Sequence, residues 1–237
     1  MKGVILAGGT GTRLKDCTKV TNKHLLPVYD KPMIYFPLES LKAAGLKDIL
    51  IVTGRGHSGD FLNLLGDGRN FGLNLSYAVQ EEAGGIAQAL HLAKHFVGED
   101  SVAVILGDNI FEKNFENDIK SFVSGARIFL KKVPDPKRFG VAVLNENNEV
   151  KEIIEKPKEP PTDYAVTGFY IYDSRVFDII ETLKPSDRGE LELTDVNNYY
   201  VKSKEMDAKF IEGFWSDAGT PSSLYKSAGF VRKSSLK

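Results

Sequence analysis

Residues 6–14 read LAGGTGTRL and follow directly on the apolar run Val4-Ile5-Leu6. A short branched apolar run ahead of a glycine cluster is the pattern of a buried strand feeding a loop. Gly8, Gly9 and Gly11 let backbone N–H groups approach phosphate oxygens without side-chain obstruction. Thr10 and Thr12 add hydroxyl donors, and Arg13 adds a forked cation suited to phosphate. The stretch from Leu6 to Arg13 therefore predicts a phosphate-cradling loop at the carboxyl end of a strand. It is not a P-loop, because no Gly-Lys-Ser/Thr follows at the required spacing. It is not the dinucleotide fingerprint either, because Leu14 stands where a third glycine is required. That mismatch argues against a nicotinamide-dependent dehydrogenase.

Working outward, Ile49-Leu50-Ile51-Val52 and Val102-Ala103-Val104-Ile105-Leu106 read as further buried parallel strands. Helical patterns cover 32–44 and 85–96, with Pro37 marking a kink or a late start in the first. A strand over 73–79 leads to Gln80. Strand and helix in alternation predict an α/β fold, a Rossmann-like mixed sheet in three α/β/α layers, with ligands beyond the carboxyl ends of the strands. After residue 125 the texture changes. Strand-like stretches occupy 126–133, 139–144, 150–155 and 165–172, and 145–148 reads as a hairpin turn. A helix over 193–202, a strand over 209–211 and a helix fraying into a polar tail over 227–237 follow. The reading is one domain over 1–237, in two halves, 1–125 and 126–237.

Composition narrows the function classes. The chain has 237 residues, 42% hydrophobic and 27% charged, with a formal net charge of −1. That length supports a core without disulfide or metal. A balance this neutral points away from nucleic-acid and membrane-surface partners. No run approaches the about 18 apolar residues of a membrane span. One cysteine, Cys17, excludes an internal disulfide and suggests an intracellular, cytoplasmic setting.

Four charged positions stand out. Lys23 precedes the anchored run His24-Leu25-Leu26-Pro27, so its ammonium can be aimed. Asp108 follows the strongest apolar strand, where a ligand-facing carboxylate is expected. Asp217 lies between Phe214-Trp215 and a Gly219-Thr220 turn. Arg13 completes the set. The chain shows no Ser/His/Asp or Cys/His arrangement for covalent catalysis.

LAGGTGTRL, followed by KHLLPVYDKPMI over 23–34, resembles the sugar-1-phosphate nucleotidyltransferases, nearest to the thymidylyl-transferring branch. The resemblance continues through Gln80, Gly107-Asp108-Asn109, Glu155-Lys156-Pro157, Arg188-Gly189-Glu190-Leu191-Glu192 and Trp215-Ser216-Asp217, nearly the whole chain. It implies the nucleotide-diphospho-sugar transferase fold, with a nucleotide-binding half (1–125), a sugar-phosphate-binding half (126–237) and Mg²⁺ held by Asp108 and Asp217. It also implies dTTP and glucose-1-phosphate as substrates, deoxysugar synthesis of the dTDP-rhamnose type, and a homo-oligomer, dimer or tetramer. Gln80 and Gly85 would contact the base. Asn109, Gly140, Glu155, Lys156, Val166 and Arg188 would contact the sugar phosphate.

The implied chemistry suits these charges. A sugar phosphate with a second pKa of about 6 is largely ionised at neutral pH, so no protein base is needed. The difficulty is bringing one anion up to another, which calls for cations and in-line positioning. Three departures from the family pattern stand out: His24 where many relatives carry glutamine, Phe139 where many carry tyrosine, and an earlier end than longer relatives, which implies weaker or differently built feedback control. UTP or another sugar-1-phosphate fits the same residues, and so, less well, does a catalytically inactive nucleotide-sugar sensor.

Overall fold

The computed structural model describes residues 1–236; residue 237, the end of the predicted tail, lies outside them. The first half runs β1 (Lys2–Ala7), β2 (Pro27–Val28), β3 (Lys31–Pro32), α1 (Tyr35–Ala43), β4 (Asp48–Gly54), α2 (Ser58–Leu65), β5 (Asn74–Gln80), α3 (Ile86–His91), α4 (Lys94–Val97), β6 (Val102–Leu106), β7 (Asn109–Phe111) and α5 (Glu116–Lys120). The second half runs β8 (Ala126–Lys132), β9 (Gly140–Leu144), β10 (Val150–Glu155), β11 (Tyr164–Tyr172), α6 (Val176–Thr182), α7 (Leu193–Lys202), β12 (Met206–Phe210), β13 (Trp215–Asp217) and α8 (Pro221–Ser235).

The apolar runs form strands buried on both faces, and their alternation divides them between two cores. Val4, Leu6, Leu50, Val52, Val102 and Val104 pack on one side with Leu90 of α3, Phe177 of α6 and Val196 of α7. Ile5, Ala7, Ile49, Ile51, Ala103 and Ile105 pack on the other with Leu38 and Leu41 of α1 and Phe61 of α2. Each fully buried branched side chain contributes about 1.5–3 kcal/mol, so both faces hold the sheet between helices. The predicted three-layer mixed sheet is therefore observed.

β1 lies between β4 and β6, all parallel, and β5 extends the parallel set beside β4. β11 then pairs antiparallel with β6 through Phe169–Tyr172, carrying the second half into the same sheet. On its other side β11 pairs with β8, which pairs in parallel with β12. Beyond the carboxyl end of β6, β11 continues, still paired with β8, and meets β9 at one position, Ala165 opposite Val141. The β9–β10 hairpin thus stands over the end of β6 as a second wall. Its outer strand is clamped to α7, because the Asn198 carboxamide accepts from Ile153 N and donates to Ile153 O, both at 2.8 Å.

Several boundaries differ from the sequence reading. Pro32 belongs to β3, and the helix starts at Tyr35, which leaves Pro37 in the first turn, where no N–H partner is required. The helix predicted over 85–96 divides after His91, because Ala93 N bonds Leu90 O in a tighter turn. Gln80 is the last residue of β5, opposite Gly54, rather than beyond the strand. β12 begins at Met206, three residues before the predicted start, because it aligns with Ala126 of β8. The last helix begins at Pro221, six residues before the predicted start; Thr220 and Ser223 form a reciprocal cap. The 145–148 turn and the helix over 193–202 are as predicted. Among the described residues no helix is long and apolar enough to cross a membrane.

Candidate active site

The carboxyl end of β1 and β6 carries the first cluster. After Ala7 the chain passes through Gly8 and Gly9, and Gly11, at φ +70°, starts a 3₁₀ segment over Thr12–Thr18. A β-carbon at Gly11 would stand 2.9 Å from Lys23 Cβ, so the loop and the lysine pack directly. Lys23 Nζ donates to Asp108 Oδ2 at 2.5 Å, and both side chains are nearly buried. The turn holding Asp108 is fixed by Gly107 N bonding Leu6 O. Leu6 itself is buried in the sheet, and its carbonyl secures this turn.

Asp217 reaches the same place from the far end of the chain. β13 pairs antiparallel with β7, setting Asp217 opposite Asn109, and Ala218 N donates to Asp108 O at 2.7 Å. Phe111 and Trp215 of this small sheet pack on each other, and Phe111 sits edge-on to Phe115 and Phe169 in the core. Asp217 Oδ2 accepts from Arg138 Nη2 at 2.6 Å, and Arg13 Nη1 lies 3.9 Å away. A β-carbon at Gly219 would come within 3.0 Å of Arg13 Nη2 and 3.3 Å of Asp108 Oδ2. The structure thus brings Arg13, Lys23, Asp108 and Asp217 together.

The two carboxyls are held differently. Burial alone would raise Asp108, but the charge and hydrogen bond of Lys23, with His24 and the Asn109 amide, together outweigh it and hold the carboxyl well below the usual range. Burial raises Asp217, and neighbouring Asp108 raises it further, against the pull of Arg138, Arg13 and Lys23. Paired hard oxygen donors beside cations suit Mg²⁺, which takes one or two carboxylates and leaves the rest of its shell to phosphates and water. Among the described residues no cluster of three or more His, Cys, Asp or Glu could hold a metal by protein alone. Two carboxylates whose remaining partners are phosphates therefore fit the donor set.

His24 lies 1% exposed beneath this turn. Its Nδ1 bonds Asn22 Oδ1 at 2.7 Å, and a β-carbon on Gly107 would meet its ring at 2.7 Å. Burial, then the Lys23 charge, lowers it to about 3. It is a neutral packing residue supporting the Asp108 turn.

Gln80 closes one end of the cleft. Its Nε2 donates to Gly85 O at 3.2 Å and Gln88 Oε1 at 2.8 Å, leaving Oε1 as an acceptor above Gly8. Gly85, at φ +103°, heads α3, where a β-carbon would collide with the Leu191 carbonyl. Thr10 and Thr12 are exposed at the loop surface.

The hairpin wall carries the second cluster. Lys156, at φ +43°, ends β10 as its N–H bonds Phe139 O. Its Nζ lies 3.3 Å from Glu155 Oε1, and Arg188 Nη2 lies 3.5 Å from the same oxygen. Thr194 Oγ1 donates to Glu155 Oε2 at 2.5 Å, and Gly140 leaves room beside that oxygen. Glu155, Lys156, Arg188 and Gly140 therefore converge. Val166 is buried in the core with Ala142 and Ile153 beneath them. Asn109 is also buried: Oδ1 accepts from Gly168 N and Trp215 Nε1, and Nδ2 donates to Asp108 Oδ1. It braces the Asp108 carboxylate and retains one amide hydrogen.

Sequence reasoning missed Arg138, Glu192 and Gln88. Buried Glu192 grips Arg188 Nη2 at 2.6 Å and accepts from Ser186 Oγ at 2.9 Å. Its spacing of four from Arg188 was a readable signal. Arg138 had none, being 79 residues from Asp217.

Comparison with known proteins identifies relatives over nearly the whole chain. The family model "Nucleotidyl transferase" matches residues 2–234. A glucose-1-phosphate thymidylyltransferase of Neisseria meningitidis is 47% identical, with the match covering 98% of this chain and 83% of the relative. One from Mycolicibacterium smegmatis is 44% identical over 100% and 84%. Among solved structures, a Bacillus anthracis protein provisionally named glucose-1-phosphate thymidylyltransferase, in complex with sucrose, superposes with a TM-score of 0.94 at 52% identity, covering 98% and 95%. A UDP-glucose pyrophosphorylase complexed with UDP-glucose superposes with a TM-score of 0.86 at 25% identity, covering 98% of each chain. The chain belongs to the nucleotidyl transferase family.

Proposed function

We propose that this chain transfers a thymidylyl group from dTTP to glucose-1-phosphate, releasing pyrophosphate and forming dTDP-glucose for deoxysugar synthesis such as that of dTDP-rhamnose. The observation that carries this reading is the meeting of Asp108 and Asp217 with Arg13 and Lys23 at the carboxyl end of the central strands.

Asp108 and Asp217 would hold Mg²⁺, which when bound supplies charge neutralisation at the phosphates. Backbone N–H groups from Gly8 to Gly11 and the Arg13 guanidinium grip the triphosphate. Lys23, beside Asp108, faces the developing charge on the transferred phosphoryl group. Lys156 and Arg188 hold the sugar's phosphate so that its ionised oxygen attacks in line, and Glu155 accepts sugar hydroxyls. Gln80 Oε1 accepts the imide N–H of the base. Thymine and uracil share that edge, and a methyl group is worth only about 1–3 kcal/mol. Selection of dTTP over UTP is therefore expected to be partial.

Pyrophosphate release is measured over a grid of nucleoside triphosphates and sugar-1-phosphates, with and without Mg²⁺. Release greatest with dTTP and glucose-1-phosphate, and only with the metal, is expected. The likeness to UDP-glucose pyrophosphorylase favours UTP as the second reading, and greater release with UTP would establish it. No release from any pair would leave a nucleotide-sugar sensor. Light scattering on the same preparation tests the proposed dimer or tetramer.

A further inference from the structure

Arg138 has no part in the reading above, yet it makes the shortest contact to Asp217. Its Nη2 lies 2.6 Å from Oδ2, whereas Arg13 stands at 3.9 Å. The Asp217 side chain is 11% exposed and that of Arg138 35%. The guanidinium carbon lies 5.4 Å from the Phe139 ring centre, and that ring packs at 5.2 Å on Trp215, two residues before Asp217. Arg138 is thus seated between an aromatic face and a carboxylate. It belongs to a short 3₁₀ turn over Pro136–Arg138 that leads into β9, so it ties the hairpin wall to β13.

The pair mirrors Lys23 on Asp108. Each carboxylate of the proposed metal site carries its own protein cation. Two buried carboxylates side by side repel, and cations at their oxygens offset that cost. A guanidinium stays charged at every accessible pH, so the compensation is permanent. A divalent ion at the same carboxylates competes with it.

We propose that Arg138 is a positioning residue that serves as the resident counter-ion of Asp217, occupying the place of a divalent cation until one arrives. This rests on the metal reading of Asp108 and Asp217. Arg138 weakens metal binding to the substrate-free enzyme, and metal arrival frees it from Asp217. An enzyme so built holds metal poorly until phosphates add their own oxygens.

Mn²⁺ binding to the full chain, without nucleotide or sugar phosphate, tests this by the electron paramagnetic resonance signal of the free ion. Arg138→Gln is expected to tighten Mn²⁺ binding about tenfold, equivalent to ~1.4 kcal/mol. It also lowers the melting temperature of the metal-free protein, and added Mn²⁺ restores it. Arg138→Lys, which keeps a charge, stays close to the parent. In an Asp217→Asn background, Arg138→Gln changes nothing. Equal or weaker Mn²⁺ binding by Arg138→Gln, with binding lost in Asp217→Asn, would overturn the counter-ion role and leave the metal reading intact. Parent-like Mn²⁺ binding by both Asp108→Asn and Asp217→Asn would overturn the metal reading and the counter-ion role with it.

Discussion

The two walls of the cleft are built on different terms. On the parallel side, the loop after β1 is glycine and exposed threonine, and Arg13 is half exposed with its nearest carboxylate 3.9 Å away. On the hairpin side, Arg188 lies among Glu155, Glu190 and Glu192, the last at 2.6 Å. The first wall offers backbone donors and a loosely held cation, a surface that adapts to a long polyanion. The second holds Arg188 in place with buried Glu192 and half-buried Glu155 and Glu190, which suits a small substrate whose orientation decides the reaction. Binding energy on the first side would go to charge, and on the second to geometry.

Asp108→Asn is the strongest challenge to this contrast. The proposed function expects it to lower turnover about a thousandfold with the fold retained, as read by pyrophosphate release and circular dichroism. Near-normal Mg²⁺-dependent turnover would remove the metal from the first wall's account.

A pH experiment probes the floor beneath that wall. The unfolded chain takes up a proton on His24 near pH 6.5, whereas the folded chain resists protonation until about pH 3. The stability this contributes is complete above pH 6.5 and drains away as pH falls through that window. Denaturant unfolding should show a loss of about 2 kcal/mol between pH 7.5 and 5, flattened in His24→Gln. An unchanged slope in the variant would mean that His24 is not buried neutral.

The smallest effect concerns the second wall. Glu192→Gln keeps a hydrogen-bonding partner for Arg188 but loses its charge, and should raise KM for the sugar phosphate by about threefold to tenfold, with kcat and KM for the nucleotide nearly unchanged. A fall in kcat alone would move Arg188 from binding to chemistry.

Much of the scaffold was legible because its signals are local. The continuous branched apolar runs of β1, β4 and β6 placed three strands that lie side by side, and the glycine cluster placed the loop. The helix over 193–202 was read at its observed bounds. β7 and β13 were not legible. Three residues each, they exist because they pair across about 100 positions of chain, and no short window records that. Asp108 and Asp217 were identified as types in context and by resemblance, whereas their meeting at Ala218 N is a tertiary fact. The start of α8 was the avoidable miss, since Thr220-Pro221 is a cap followed by a first-turn proline.

The Asn198 clamp has a consequence for descent. Because Asn198 fastens β10 to α7, and Thr194 on α7 fastens Glu155, the proposed sugar-binding carboxylate is held through a helix whose Val196 and Tyr200 sit in the core. Under the proposed function, substitutions at the cleft-facing positions of the hairpin would change which sugar is accepted while Asn198 and Thr194 keep their bonds. Selection for new sugars would then act on the lining of that wall and spare its fastening to the core.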